Sequence, residues 1–472
     1  MKKTAPYRLR FFIVILAGLG GVITLPVLQS AGIAPGITSA FADDDDDGGG
    51  DDGDDGSGGG YGGGSSGGGG GDDNDTRRPR GDLRSLFGWP FQRAERRSPP
   101  RRTVSVPDRA PNEIVALGLD ETTIANLTQD GFVVDERISI SLTGSEMVKL
   151  TIPTGMTLDV ARQAVIAAAP SASVDFNHFY QPEQKKTSPC PGGDCKLVRH
   201  IVDWPQDAGD GRAASCGAPM PIGLIDTAIN AGHASLADAT IEVLQLGDGA
   251  APTSTAQHGT AVAALLVGSA GSRAPGLVPG GRLVAIDAFQ RYRKAADIAD
   301  IYDLIRALDM LAARNIRIIN LSLSGPPNML LEQAVSATIA KGTILIAAAG
   351  NEGPNAKPVY PAAYADVIAV TAVDRNMKPY RRASRGDHID IAAPGVGVWT
   401  AASISGGRQK SGTSFAAPFV TAAASLLLGA KPDMKPGEVA DALTRSANDM
   451  GEPGKDAIFG WGLLNAKALC QI

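Results

Sequence analysis

The chain has 472 residues, a hydrophobic fraction of 43% and a formal net charge of −6. This length and apolar content allow more than one domain with a substantial core, which excludes a chain that is disordered throughout. The negative charge argues against nucleic acid as a partner, because that binding draws on clustered positive charge.

Residues 1–42 have the pattern of an export signal. Basic residues between Lys2 and Arg10 precede an apolar run from Phe11 to Leu28, and Ala40-Phe41-Ala42 is a small-residue cleavage pattern. We expect a signal peptide cleaved after Ala42 and export of the remainder to the periplasm, the cell surface or the medium. The apolar run is long, so an uncleaved membrane anchor is the alternative, and membrane contact is expected only in that case.

Two low-complexity segments follow. Residues 43–76 are almost entirely Gly, Asp and Ser, which leaves little apolar surface to bury and predicts a disordered tether. Residues 77–111 are basic and contain Arg-Arg and Pro-Pro pairs, which predicts a linker.

Residues 112–184 predict a small α+β domain with an antiparallel sheet covered by helices on one face. Apolar and alternating patterns predict strands at 113–119, 147–152 and 173–179, and helical periodicity predicts helices at 121–129 and 157–169. Residues 185–218, rich in Cys, Pro and Gly, are interpreted as a junction.

Residues 219–472 alternate apolar strands with helices, which predicts an α/β fold. The predicted strands are 222–226, 283–287, 316–321, 343–348 and 367–373, and the predicted helices are 259–267, 295–313, 329–341 and 414–428. Near-continuous apolar strands indicate a mostly parallel sheet with helices on both faces, and functional residues are expected at the carboxyl ends of its strands.

Three motifs in this region contain an aspartate, a histidine and a serine in that order. They are Gly-Leu-Ile-Asp-Thr ending at Thr227, His-Gly-Thr-Ala-Val-Ala beginning at His258, and Gly-Thr-Ser-Phe-Ala-Ala-Pro ending at Pro418. Together they resemble the subtilisin-like serine proteases, whose order of catalytic residues differs from those of chymotrypsin and the α/β-hydrolases. The resemblance covers about residues 219–466 and implies a subtilisin-like fold and a serine endopeptidase that cleaves polypeptides.

The resemblance implies a catalytic triad of Asp226, His258 and Ser414. Asp226 would orient His258, the general base, and Ser414 would form the acyl-enzyme. Pro418 is tolerable only near a helix start, so a helix begins close to Ser414 and its amino end suits an oxyanion. Asn351, which follows Ala348-Ala349-Gly350, matches the oxyanion-hole asparagine of the family, with an ordinary turn as the alternative.

Further segments match the family less closely. Ser322, Leu323, Ser324 and Gly325 resemble the strand that pairs with an extended substrate backbone. Phe415 stands where the family usually has Met, and Ala228 replaces a usual Gly, which puts the geometry of that loop in doubt.

The 112–184 domain is similar in position and element order to the prodomains of these enzymes. The resemblance implies a zymogen whose own prodomain acts as folding aid and inhibitor, with its tail entering the cleft and a cut between Glu183 and Cys216. An unrelated accessory domain is the alternative.

Export permits disulfides, and Cys190, Cys195, Cys216 and Cys470 allow three pairings. The sequence does not choose among them; we expect Cys190–Cys195 and Cys216–Cys470. No metal site is predicted, since no second Cys/His pair follows Cys190 and Cys195 at ligand spacing. No cofactor is identified from the sequence, and a structural calcium ion stays open as an alternative because these motifs do not show its ligands.

The sequence is also compatible with two other functions. One is an inactive relative that only binds, although all triad residues are retained. The other is a membrane-anchored surface protein that uses the peptidase fold mainly for binding or self-processing.

Overall fold

The computed structural model describes residues 105–183, 195–205, 216–246 and 253–472. The predicted signal peptide, the tether, most of the linker and Cys190 lie outside the described residues.

Residues 105–183, called here the N-terminal unit, form an antiparallel sheet and two helices. In chain order they are β1 (Arg109–Leu117), α1 (Glu121–Gln129), β2 (Val133–Ile140), β3 (Ser145–Thr151), α2 (Leu158–Ala168) and β4 (Ser173–Pro182). The strand order is β2-β3-β1-β4. β1 begins at Arg109, inside the stretch predicted as linker.

The capping residues of this unit explain why its helices were predictable. Asp120 and Thr157 each cap a helix by accepting a hydrogen bond from a backbone N–H three residues on. β2 was not predicted, because it is a mostly exposed edge strand without an apolar alternation. Charge pairing supports it instead: Arg137 lies 2.5 Å from Glu121 and 2.6 Å from Glu146.

The sheet of the N-terminal unit is buried on both faces. One face packs against α1 and α2, for example through Val148 and Leu150. The opposite face, including Val115, Met147 and Tyr180, joins a core shared with the rest of the chain. A small sheet buried on both faces is therefore bound to its neighbour through apolar contact.

Residues 216–472, called here the parallel-sheet domain, contain the remaining strands and helices. The strands are β5 (Ile222–Asp226), β6 (Thr240–Leu244), β7 (Arg282–Asp287), β8 (Gln290–Tyr292), β9 (Ala296–Asp300), β10 (Ile318–Leu321), β11 (Leu323–Ser324), β12 (Ile344–Ala348), β13 (Ile368–Val373), β14 (Ile391–Pro394), β15 (Val398–Ala401) and β16 (Gly407–Lys410). The helices are α3 (Gln257–Val267), α4 (Ile301–Ala313), α5 (Met329–Ala340), α6 (Ala417–Ala430), α7 (Pro436–Ser446) and α8 (Ala466–Leu469).

The main sheet of this domain has the order β14-β13-β12-β10-β5-β7-β6, and its pairings are parallel. Successive residues of a strand face opposite cores: Ile318 belongs to the core that includes α3, α6 and α7, and Ile319 to the core that includes α4 and α5. Both faces are thus covered by helices, which is why the strands are apolar throughout. The predicted α/β fold is confirmed.

One predicted helix is wrong in its first part. Residues 295–313 were predicted as a single helix, but β9 occupies Ala296–Asp300 and only the remainder is α4. Asp300 caps α4 by accepting a hydrogen bond from Asp303 N. β9 forms because β4 pairs with it in antiparallel fashion, a long-range contact that local periodicity does not reveal.

The ends of the parallel-sheet domain are held together. Cys216 and Cys470 form a disulfide with a Cα–Cα distance of 4.9 Å, the pairing that we expected. Within the predicted junction, a 3₁₀ helix spans Cys195–Val202, and Val202 and Trp204 are buried in the core beside α6. This part of the junction is therefore packed against the domain.

Candidate active site

Asp226 and His258 meet at the carboxyl end of the main sheet. Asp226 is the last residue of β5, and His258 lies in the first turn of α3. His258 Nδ1 is 2.7 Å from Asp226 Oδ1, and both residues are 1% exposed. Gly259 permits this approach, because a Cβ there would lie 2.2 Å from the carbonyl oxygen of Thr227.

The other ring nitrogen of His258 is buried. Nε2 has no hydrogen-bond partner in the part of the chain that the structure describes. Because Nδ1 faces a carboxylate, the neutral ring is held with its proton on Nδ1 and its lone pair on Nε2. The arrangement can therefore accept a proton at Nε2.

Ser414 lies in a 3₁₀ turn, Thr413–Phe415, immediately before α6. Pro418 is in the first turn of α6, as the sequence predicted. The ring of Phe415 lies 5.5 Å from that of His258, which brings the serine segment against the Asp226–His258 pair. Ser414 Oγ lies within hydrogen-bond distance of two carbonyl oxygens and donates its one proton toward them, that of Glu183 at 2.5 Å and that of Ser322 at 3.1 Å.

Asn351 follows β12 and is fully buried. Its Oδ1 accepts hydrogen bonds from the backbone N–H of Thr413 at 3.0 Å and from the Thr413 hydroxyl at 3.3 Å. These bonds fix the amide so that Nδ2 points toward the Glu183 carbonyl oxygen, 3.1 Å away. Thr413 was not singled out from the sequence, although its place directly before Ser414 was a usable signal.

The segment predicted to pair with substrate pairs with the tail of the N-terminal unit. Leu323 and Ser324 form β11, whose antiparallel partners are Pro182 and Gln181 of β4. The N–H of Glu183 donates to the carbonyl oxygen of Ser322 at 3.3 Å. On its other side β4 pairs with β9, so the tail lies between two strands.

Gly325 has a different role from the other three residues of that segment. It pairs with Tyr360 and does not pair with β4. A Cβ on Gly325 would lie 2.4 Å from the Tyr180 ring, so glycine makes room for this buried side chain of the tail. The Tyr180 hydroxyl then donates to the Pro326 carbonyl oxygen at 2.6 Å.

Glu183 is the point at which these elements converge. Its carbonyl oxygen accepts from Ser414 Oγ and from Asn351 Nδ2, while its N–H is bound in a strand-like contact. A peptide carbonyl is thus held between a hydroxyl and an amide donor. Nothing local marks Glu183 in the sequence, and only the register of β4 against β11 identifies it.

The loop after Asp226 is anchored by residues that sequence reasoning missed. The N–H of Ala228 donates to Ser254 Oγ at 2.7 Å, and Ser254 Oγ donates to Asp287 Oδ1 at 2.9 Å. Ala228 does not adopt a positive φ, so its replacement of the usual glycine causes no backbone strain. Burial raises the pKa of Asp287 to about 6, against the lowering effect of the Ser254 hydrogen bond.

Within the described ranges, no group of three or more His, Cys, Asp or Glu side chains is placed to hold a metal ion.

The parallel-sheet domain also matches a known protein family. The profile described as "Subtilase family" matches residues 217–462. Subtilisin DY of Bacillus licheniformis is 31% identical over 260 residues, which is 54% of this chain and 92% of that protein. Subtilisin Savinase of Lederbergia lenta is 32% identical over 213 residues, covering 45% of this chain and 76% of that protein.

Among solved structures, fervidolysin from Fervidobacterium pennivorans matches with a TM-score of 0.65 at 19% identity. The match covers 78% of this chain and 62% of fervidolysin, which is described as a keratinolytic enzyme related to subtilisin. At this identity the likeness shows a shared fold.

Proposed function

The chain belongs to the subtilase family of serine endopeptidases, and from that premise we propose that Asp226, His258 and Ser414 are its catalytic triad and that Asn351 is its oxyanion-hole donor. The observation that carries this proposal is the position of the Glu183 carbonyl. The Glu183 carbonyl oxygen lies 2.5 Å from Ser414 Oγ and 3.1 Å from Asn351 Nδ2, within reach of both the proposed nucleophile and the proposed oxyanion donor.

In the proposed reaction Ser414 Oγ attacks the carbonyl carbon of a bound peptide, and His258 Nε2 takes the hydroxyl proton. Asp226 holds Nδ1–H at 2.7 Å and stabilises the imidazolium that forms. Asn351 Nδ2 and the N–H groups at the start of α6 stabilise the oxyanion. The C–N bond breaks as His258 returns the proton to the leaving amine, and water then releases the acyl group from Ser414.

Polypeptides are the proposed substrates. β11 and β9 offer backbone groups on both sides of an extended strand, and β4 occupies that place here. Binding a chain as an added strand uses groups that every polypeptide carries, so affinity depends little on sequence and selectivity comes from side-chain pockets.

We further propose that the N-terminal unit is an inhibitory prodomain and that maturation cuts the Glu183–Gln184 bond. This proposal is supported by the Glu183 carbonyl group beside Ser414 Oγ, whose carbon would form the acyl bond to Ser414. Export is proposed from the signal pattern of residues 1–42, and a relative from Bacillus subtilis is named a minor extracellular protease.

The test is substitution of the proposed triad. Ser414→Ala or His258→Ala is expected to abolish peptide hydrolysis, and Ser414→Ala also removes labelling by a serine-directed fluorophosphonate. Asn351→Ala is expected to retain labelling but to slow turnover by about 10²- to 10³-fold. Circular dichroism controls for folding. Substantial turnover by a folded, pure Ser414→Ala protein would rule out the assignment.

A further inference from the structure

The residue on the acyl side of the proposed cut is itself informative. This inference rests on the proposed function, because it takes Glu183 as the residue whose carbonyl Ser414 attacks. Its backbone is bound as a substrate backbone would be, through the N–H to Ser322 and the carbonyl to Asn351. Its side chain therefore lies in the pocket that selects this residue in a substrate.

The Glu183 side chain is buried and its carboxylate is hydrogen-bonded. The residue is 6% exposed. Oε2 accepts from Asn351 Nδ2 at 2.6 Å, and Oε1 accepts from the Ser324 hydroxyl. Burying a carboxylate without such donors would be strongly unfavourable. The pocket thus supplies hydrogen-bond donors that match an acidic side chain.

An apolar side chain would fit these donors poorly. Ser324 is 9% exposed and Asn351 is fully buried, so water has little access to either group. With leucine or phenylalanine in the pocket, neither donor would find a side-chain acceptor there. Leaving buried polar groups unpaired costs more than the mean net value of a hydrogen bond, so the pocket discriminates against apolar residues.

Arg382 adjoins the pocket and favours a negative charge. Arg382 Nε donates to the carbonyl oxygen of Asn351 at 3.4 Å. Burial raises the pKa of the nearby Tyr380 phenol, the charges of Arg382 and Arg381 oppose that shift, and the Glu183 charge adds to it. A cation beside a buried site stabilises a carboxylate relative to an amide of the same shape.

We infer that this enzyme cleaves polypeptides preferentially after glutamate. Ser324 and Asn351 supply the hydrogen bonds to the glutamate carboxylate, and Arg382 supplies the positive charge that distinguishes glutamate from glutamine. Hydrolysis adds water across the amide, so the products are a peptide ending in glutamic acid and a free amine.

The first experiment uses the self-processed enzyme and the peptides Tyr-Gln-Pro-Xaa-p-nitroanilide with Glu, Gln, Leu or Phe as Xaa. Glu and Gln have the same shape, so their ratio isolates charge, while Leu and Phe test the hydrogen bonds. We expect kcat/KM for the Glu peptide to exceed that for each of the others by about 10- to 100-fold. Faster cleavage of the Phe or Leu peptide would overturn the inference.

Arg382→Gln tests the source of the charge preference, with Arg314→Gln as the matched control. Arg314 directly follows α4. It pairs with Glu242 of β6, the edge strand of the main sheet. Arg382→Gln is expected to lower the Glu:Gln ratio of kcat/KM by about tenfold, and Arg314→Gln to leave it unchanged. An unchanged ratio in Arg382→Gln would overturn the role assigned to Arg382.

Glu183→Gln in the full chain tests the preference for glutamate without relying on the arginine variants to fold. Mass spectrometry is expected to show slower cutting after residue 183 than in the unaltered chain. Fluorophosphonate labelling distinguishes failure of the glutamate preference from failure of the proposed function. A labelled enzyme without preference for Glu overturns this inference alone, whereas absence of both labelling and peptide cleavage overturns the proposed function as well.

Discussion

The Asp287 carboxyl lies near the Asp226–His258 pair, and its burial disfavours the charged form. Burial raises its pKa from 3.8 to about 6; hydrogen bonds from Ser254 and the Phe289 N–H oppose the shift, and the Asp226 charge adds to it. A carboxyl whose pKa is raised on folding favours the folded state while it is protonated. That contribution is fully present below the unfolded pKa and is lost as the pH rises through the folded pKa.

Asp287→Asn is therefore expected to stabilise the protein at pH 8. The amide keeps an acceptor for Ser254 and the Phe289 N–H but carries no charge to bury. In a Ser414→Ala background, which prevents self-digestion, the gain should be about 1–3 kcal/mol at pH 8 and should vanish toward pH 4. Urea unfolding at both pH values measures it. Equal stability of the two proteins at pH 8 would show that the charge is already well solvated.

Among the elements, α8 is short and depends on a covalent link. It spans Ala466–Leu469 and is followed by Cys470, whose disulfide partner Cys216 lies 254 residues earlier at the start of the domain. Closing so long a loop removes much entropy from the unfolded chain, about 5–6 kcal/mol in the chain-entropy model before any strain in the folded state is subtracted.

Removing that link should lower stability measurably. Cys216→Ser with Cys470→Ser, in the Ser414→Ala background, is expected to reduce the free energy of unfolding by about 2–5 kcal/mol. The matched control replaces Cys190 and Cys195, whose predicted loop is far shorter and whose loss should cost less. Equal urea midpoints for the Cys216/Cys470 variant and its parent would contradict the prediction.

Elements whose signals are local were predictable from sequence. α1 matches its predicted bounds because Asp120 caps it, and β5 does so because an apolar run ends at a carboxylate. The proposed triad residues were predicted from their motifs. β9 and Glu183 were not identified, because both depend on the register of β4 against distant strands.

At the scale of the whole molecule, the N-terminal unit and the parallel-sheet domain share a sheet and an ionic cluster. Lys149 lies 2.7 Å from Glu136 and 3.4 Å from Asp300, and Arg306 lies 3.6 Å from Glu136. Burial alone would lower the pKa of Lys149, but the Asp300 and Glu136 carboxylates raise it, so the cation persists. The Asp300 side chain is only 4% exposed, which makes its pairing with Lys149 energetically important.

The separate N-terminal unit, residues 105–183, is expected to inhibit the mature enzyme at micromolar concentration or below. It has its own core beneath α1 and α2 and includes all of β1. Lys149→Met should weaken inhibition by about 30-fold, because Asp300 loses its buried partner. Lys341→Met of the enzyme, an exposed contact at the edge of the interface, is the control. No inhibition by the unaltered unit would leave it an accessory domain.

In the proposed zymogen, the covalent attachment of β4 makes inhibition independent of protein concentration until the chain is cut. While Glu183 and the domain belong to one chain, the tail faces the site at an effective concentration of about a millimolar, whatever the amount of protein present. Once the bond after Glu183 is cut, the same strand must rebind from solution. At high protein concentration the cut tail stays bound and the enzyme stays inhibited, whereas at low concentration the tail dissociates and the enzyme is active. Dilution of an exported enzyme would therefore be enough to activate it.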